Sequence, residues 1–292
     1  MKNKQNKQKI IAVTGASLLA ATCAHAQTIA GWDFDAGGTV AAPINSVLAT
    51  TGTGTGIQLG MSNDYTFASG EGPGSIANCD ILASAGASTG SGSYAWRVRG
   101  NSNTANSGAN MANGWNSQAP IATQGAEFTP ADGTSGYSGI TVSFDLNATG
   151  QAERNLTVLY TLNDLASTVV WELATITSAG TLATLENNST SPNTVIGNYV
   201  ELSGAGTGWN NGITATLGAD ANNDPNLSVE IVNASTGADC VNTSGVALNN
   251  SSGNWRFDNI VITGVPEPTT LALAGCGFAT LIGLLRLKKR QA

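Results

Sequence analysis

The stretch GITVSFDLNATG, residues 139–150, places Ile140, Val142, Phe144 and Leu146 on one side and Thr141, Ser143, Asp145 and Asn147 on the other. Alternation with period two is the pattern of a strand that turns one face to a core and the other to water. The same reading extends to TIAGWDFD (28–35, with Ala30, Trp32 and Phe34 inward), SYAWRVRG (93–100), NLTVLYTL (155–162) and TVVWELATIT (168–177). It extends further to NYVELS (198–203), NGITATL (211–217), NLSVEIVNA (226–234) and NWRFDNIVITG (254–264). None carries a helical stripe, and the connections are rich in Gly, Ser, Thr and Asn, which favour turns over helices. Short strands without helical crossovers predict an all-β, antiparallel, jelly-roll-like sandwich. Between Ala36 and Gly92 the low-complexity runs TTGTGTG (50–56) and SAGASTGSGS (84–93) are expected to be surface loops with no second core. No repeat of fixed period is visible, which disfavours a solenoid.

The two ends differ from the body. Lys2, Lys4, Lys7 and Lys9 precede an apolar stretch, Ile10 to Cys23, that closes on Ala24-His25-Ala26. That order is the pattern of a secretory signal peptide over residues 1–26, with the mature chain starting near Gln27. At the other end, the 17 residues Thr269 to Leu285 carry no charge. As a helix they would reach roughly 26 Å, about the thickness of a thin hydrocarbon core. Arg286, Lys288, Lys289 and Arg290 follow, so the positive-inside rule puts everything before Val265 outside the cytoplasm.

The body, residues 27–264, is long enough for one large β domain. It keeps four basic residues, Arg97, Arg99, Arg154 and Arg256, against 18 carboxylates, a net charge of −14. Such a balance disfavours nucleic-acid backbones as partners and suits a polysaccharide layer or divalent cations. The only histidine is His25, within the predicted signal peptide. A mature chain without histidine excludes Ser-His-Asp and Cys-His catalysis and the usual His-ligated metal centres. Cys79 and Cys240 are the body's only thiols, and in an exported chain such a pair is expected to form a disulfide.

Val265-Pro266-Glu267-Pro268, the apolar segment 269–285 and the basic tail 286–292 together resemble the PEP-CTERM sorting signal of bacterial surface proteins. The resemblance is carried by residues 265–292, with Pro266, Glu267 and Pro268 as the motif. It implies a Gram-negative-type envelope, processing by an exosortase-type membrane enzyme, membrane insertion through the C-terminal helix before processing, and a cell that often makes exopolysaccharide and biofilm. A softer resemblance spans Glu127 to Gly264, where FDLNATGQAERNLTVLYTLND (144–164), DPNLSVEIVNA (224–234) and WRFDNIVITG (255–264) look like the β-sandwich bodies that often precede this signal.

Three candidate sites stand out. Asp33 and Asp35 share one face of the first strand and Asp258 lies in the last; first and last strands of a jelly roll are commonly neighbours, so these carboxylates are candidates to hold Ca²⁺ as a cofactor. A simpler reading makes them solvated acidic residues. GADANNDPN, with Asp220, Asn222, Asn223 and Asp224, reads as a turn before a strand, given Pro225. Trp115 in NGWNSQ and Trp209 in GTGWNNG sit among loop residues, where a flat ring can stack on a sugar; Trp32, Trp96, Trp171 and Trp255 fall in strands and read as core. The Asn-x-Ser/Thr triplets at Asn147, Asn155, Asn226 and Asn233 read as composition. Two carboxylates suffice for a glycosidase, but no acidic pair is set apart by its surroundings.

These observations lead to an exported, non-catalytic cell-surface or extracellular-matrix protein with a structural or adhesive role. The alternative is a carbohydrate-binding module for exopolysaccharide, steadied by Ca²⁺; a polysaccharide-processing enzyme is the third and weakest reading.

Overall fold

The computed structural model describes residues 25–35, 46–60, 80–83, 94–99, 115, 117, 119–163, 169–184, 191–192, 194–196, 198–202, 208–248 and 253–267. The expected signal peptide up to residue 24, Cys79, the run 84–93 and the tail from Pro268 lie outside them. Among the described residues, no helix is long and apolar enough to cross a membrane.

The strands in chain order are β1 (Gln27–Trp32), β2 (Ser46–Leu48), β3 (Thr51–Gly52), β4 (Gly54–Leu59), β5 (Asp80–Ala83) and β6 (Tyr94–Arg99). Then come β7 (Gly125–Pro130), β8 (Tyr137–Ala148), β9 (Asn155–Thr161), β10 (Glu172–Leu173), β11 (Thr175–Thr184) and β12 (Ser191–Pro192). The last are β13 (Thr194–Ile196), β14 (Tyr199–Glu201), β15 (Gly208–Thr216), β16 (Ser228–Asn233) and β17 (Asn254–Pro266). They form two antiparallel sheets. One runs β12-β11-β15-β8-β17-β1-β3, with β6 also on β17 and β5 on β6; the other runs β13-β14-β9-β16-β7-β4-β2, with β10 on β9. First and last strands are neighbours, Gln27 opposite Gly264 and Trp32 opposite Ile260.

Between the sheets lies one apolar layer. The alternation in β8 holds from Ile140 to Leu146: Ile140, Val142, Phe144 and Leu146 are buried, and Thr141, Ser143 and Asp145 are only partly so, whereas Asn147, expected to face water, is buried. Trp32, Trp96, Phe128, Trp255 and Phe257 fill the centre, with ring centroids 5.1 Å apart for Trp32 and Phe128 and 5.8 Å for Phe128 and Phe257. Edge-to-face pairs of this kind contribute about 0.5–1.5 kcal/mol beyond the area they bury.

Three expectations need correction. The run TTGTGTG is sheet, supplying β3 and β4. Its glycines let the strand lie close to large rings: a Cβ on Gly56 would stand 3.0 Å from the Phe128 ring, and one on Gly54 would stand 2.7 Å from the Thr129 carbonyl oxygen. The segment 168–177 is not one strand: it holds the two-residue β10 and the start of β11, because the chain changes sheets at buried Ala174, β10 pairing with β9 and β11 with β15. Trp171 is therefore half-buried instead of core, and Val170 and Leu173 are exposed. Finally, β9 and β16 are buried along their whole length, on both faces, instead of half-buried.

The body also continues past Gly264. Val265 pairs with Ser138 and Pro266 with Tyr137, and the Glu267 N–H bonds the Gly136 carbonyl at 2.8 Å. The first residue of the Pro-Glu-Pro motif, Pro266, is thus the end of β17.

Candidate functional site

On the outer side of β9 and β14, a groove of about 420 Å³ is lined by Asn155, Tyr199, Glu201, Ser235, Thr236 and Asp239 among others. Tyr199 is half-buried. Asn155 is fixed: its amide donates to Ser235 Oγ at 3.1 Å and to the Asp239 carbonyl at 3.4 Å. At the rim Glu201 pairs with Arg154, whose Nε donates to the Leu202 carbonyl at 3.1 Å.

Glu153 underlies this floor and is wholly buried. Its Oε1 accepts from Ser235 Oγ at 2.8 Å and from the Asn155 N–H at 2.9 Å, and its Oε2 accepts from the Cys240 thiol at 2.5 Å. Its backbone carbonyl accepts from the indole of Trp255 at 2.8 Å, which joins the groove floor to the core. Burial raises the Glu153 carboxyl above its usual range, and its donors only partly offset this. The Cys240 thiol is pushed up by burial and by the charge of Glu153. Cys240 is a buried free thiol, so the expected bridge to Cys79 is not made at its end; the carboxylate of Glu153 engages it instead.

The two tryptophans expected in loops are not presented to solvent. Trp115 is 2% exposed, with its ring centroid 4.3 Å from that of Trp255 in the core. Trp209 is 1% exposed, lies within β15 and packs with Ala95, apart from the main core. Neither ring offers a free face. A sequence without loop boundaries cannot separate a tryptophan in a Gly/Asn-rich strand from one in a loop. The residues that line the groove had a weaker signal still, since Asn155, Tyr199 and Ser235 come from three separate segments.

Asp33, Asp35 and Asp258 do share a neighbourhood, and Asp145 joins them. Two strands meet the same edge of β17 end to end: β1 opposite 260–264 and β6 opposite 254–257. The turn after β1 closes this seam, with Asp33 Oδ1 accepting from the Asp35 N–H at 3.0 Å and Asp35 Oδ1 from the Tyr94 N–H at 2.8 Å. Asp258 pairs with Asp145 across β17 and β8. Bulges flank them, one in β17 between Asp258 and Val261 with Asn259 at φ 50°, the other in β15 between Asn210 and Ile213 with Gly212 at φ 72°. From these bulges the Gly212 N–H and the Asn259 amide reach the two oxygens of Asp145, at 2.7 and 2.9 Å. Asp258 is 1% exposed; Oδ1 accepts from the Asn259 N–H at 2.8 Å, and Oδ2 is buried without a partner. Burial first, then the charges of Asp35, Asp145 and Asp33, push the Asp258 carboxyl up to about 7. Burial raises Asp145 as well. Among the described residues, no three acidic, Cys or His side chains form a ready metal cage.

GADANNDPN is a turn, as expected: the side chains of Asn222 and Asn223 accept from the Gly139 and Gly136 N–H groups, both at 2.8 Å, and Asp224 from the Asn226 N–H at 2.8 Å. Of the four Asn-x-Ser/Thr asparagines, Asn147, Asn155 and Asn233 are buried and Asn226 is exposed. One acidic pair escaped the sequence reading. Glu127 and Glu230 are directly opposed on β7 and β16, both largely buried, and Thr129 Oγ1 donates to Glu127 at 3.1 Å.

No family model matches the chain, and no curated protein is similar to it. Among solved structures it is similar to the CBM22-1 xylan-binding domain of Xyn10C from Paenibacillus barcinonensis, at 10% identity over 83% of this chain and 97% of that one, with a TM-score of 0.37.

Proposed function

We propose that this chain is an exported, non-catalytic surface or matrix protein whose β-sandwich binds polysaccharide through the groove at Asn155, Tyr199 and Glu201. The observation that carries the binding role is the groove's composition. A half-buried aromatic ring stands beside a fixed amide, hydroxyls and carboxylates, the combination that accepts the apolar C–H face of a sugar together with its hydroxyls. The ion pair at its rim and the hydrogen bonds beneath it hold these groups in place before a ligand arrives, which lowers the ordering cost of binding. The net negative body favours neutral glycans over anionic ones.

The export and sorting part rests on the sequence of the two ends and on the resemblance of residues 265–292 to the PEP-CTERM signal. The proposed sequence of events is export, insertion of segment 269–285 in the inner membrane, and processing by an exosortase-type enzyme that leaves the sandwich in the matrix.

A glycan array of neutral matrix polysaccharides tests the binding role. Retention lost in Tyr199→Ala and kept in Trp209→Phe supports the groove; no retention on any glycan returns the sandwich to a purely structural role. Release of reducing ends, lost in Glu127→Gln or Glu230→Gln, would contradict the non-catalytic reading. For sorting, Pro266-Glu267-Pro268 replaced by three alanines should leave full-length protein in the inner membrane while the unaltered chain ends near Val265 outside the cell.

A further inference from the structure

We propose that the seam where β1, β6, β8 and β17 meet binds one divalent cation of the calcium class, with Asp258 and Asp145 at its centre and Asp33 and Asp35 closing it from the turn after β1. The proposal stands apart from the groove, which lies on the other sheet.

Four carboxylates gather where two bulges interrupt the ladder on either side of β8, and bulges re-aim side chains and free backbone groups. At their centre Asp258 is almost wholly buried and one of its oxygens has no donor. A buried carboxylate oxygen without a donor, facing three more carboxylates, is unfavourable unless a proton or a cation neutralises it. An uncharged acceptor lies on the same face: the Oδ1 of Asn147, two residues along β8 from Asp145, is also buried without a partner. An excess of unsatisfied acceptors asks for a donor or an ion, and Ca²⁺ takes six to eight oxygen ligands from carboxylates, amides and backbone carbonyls in flexible geometry. Asp33 and Asp35 are exposed, so their side chains can turn inward to complete a site that the present arrangement leaves open. Mg²⁺, which demands near-ideal octahedral geometry and gives up water reluctantly, suits such a seam less well. Arg256 lies two residues before Asp258 on β17, is paired with Arg97 on β6, and directs its Nε to Asn254 Oδ1 at 3.1 Å.

The test uses the purified full-length protein at pH 8, stripped with EDTA and then titrated with CaCl₂, with bound calcium counted by equilibrium dialysis and stability followed by thermal unfolding. The expected result is about one calcium per chain and a rise in melting temperature. Free calcium a hundredfold above its Kd should raise the folding constant about a hundredfold. Asp258→Asn, which keeps the shape, should fold and lose both responses; Asp33→Asn should weaken them; Asp132→Asn, remote from the seam, should keep them. MgCl₂ should give a smaller shift. No bound calcium, or calcium still bound by Asp258→Asn, overturns the proposal, and so does stability that follows pH alone, which would make Asp258 simply a protonated carboxyl. Tyr199→Ala should respond to calcium normally, so failure of the groove and failure of the seam are separate outcomes.

Discussion

Glu153 and Asp258 are both buried carboxylates at the ends of outward-facing clusters, and they differ in their company. Glu153 receives a serine hydroxyl, a thiol and a backbone N–H, so each of its oxygens is engaged. Asp258 receives one backbone N–H, and the groups around it are acceptors and other carboxylates. The first arrangement is complete in the folded chain and works as structure; the second leaves one carboxylate oxygen without a donor. Burial raises both carboxyls, so the contrast lies in hydrogen-bond supply and not in depth.

The sharpest way to break this contrast is to remove each carboxylate. Glu153→Ala should cost about 3–5 kcal/mol in denaturant unfolding, because Ser235, Cys240 and the Asn155 N–H would be left buried with no acceptor. Asp258→Asn in calcium-free buffer at pH 8 should act in the opposite sense and stabilise by about 1–3 kcal/mol, since it removes a charge held among like charges. Equal losses from both substitutions would end the distinction.

The pH dependence gives a finer test. In the folded chain Asp258 titrates near 7 instead of 3.8, so between those values the folded state holds a proton that the unfolded state has released. Stability therefore falls as pH rises through that window, by at most about 1.4 kcal/mol per pH unit. Asp145 and Glu153, also raised, act in the same direction. Calorimetry from pH 4 to 8 in EDTA should show the decline, and Asp258→Asn should flatten much of it.

Smaller effects are expected at the groove. Tyr199→Ala should weaken glycan binding about tenfold by isothermal titration, close to 1.4 kcal/mol. Arg154→Gln should change stability by less than about 1 kcal/mol, since its pair with Glu201 is partly exposed.

The fold was legible where one face of a strand meets the core and the other meets water, as along Ile140 to Leu146. It was hidden where that rule lapses. Gly54 and Gly56 carry no apolar signal because their task is to let Trp32 and Phe128 come close, and Gly52, at φ 70°, lies against the backbone of Ile29 and Ala30. The segment around Trp171 carries a false signal because the chain changes sheets at Ala174. Asp33, Asp35 and Asp258 could be placed together from the adjacency of first and last strands, whereas Asp145 looked like an ordinary water-facing residue until the register set it opposite Asp258. The groove was not legible at all, because its lining converges only through the pairing of β14 and of β16 with β9.

The position of β17 has a mechanical consequence. It is hydrogen-bonded to β8 along one edge and to β1 and β6 along the other, and it leads straight to Glu267. A pull applied at Glu267 acts along the axis of that strand. Tension then loads the ladders on both edges in shear, many bonds at once, where a tether on an edge strand would peel them singly. The sandwich is thereby built to resist a pull at the end of β17.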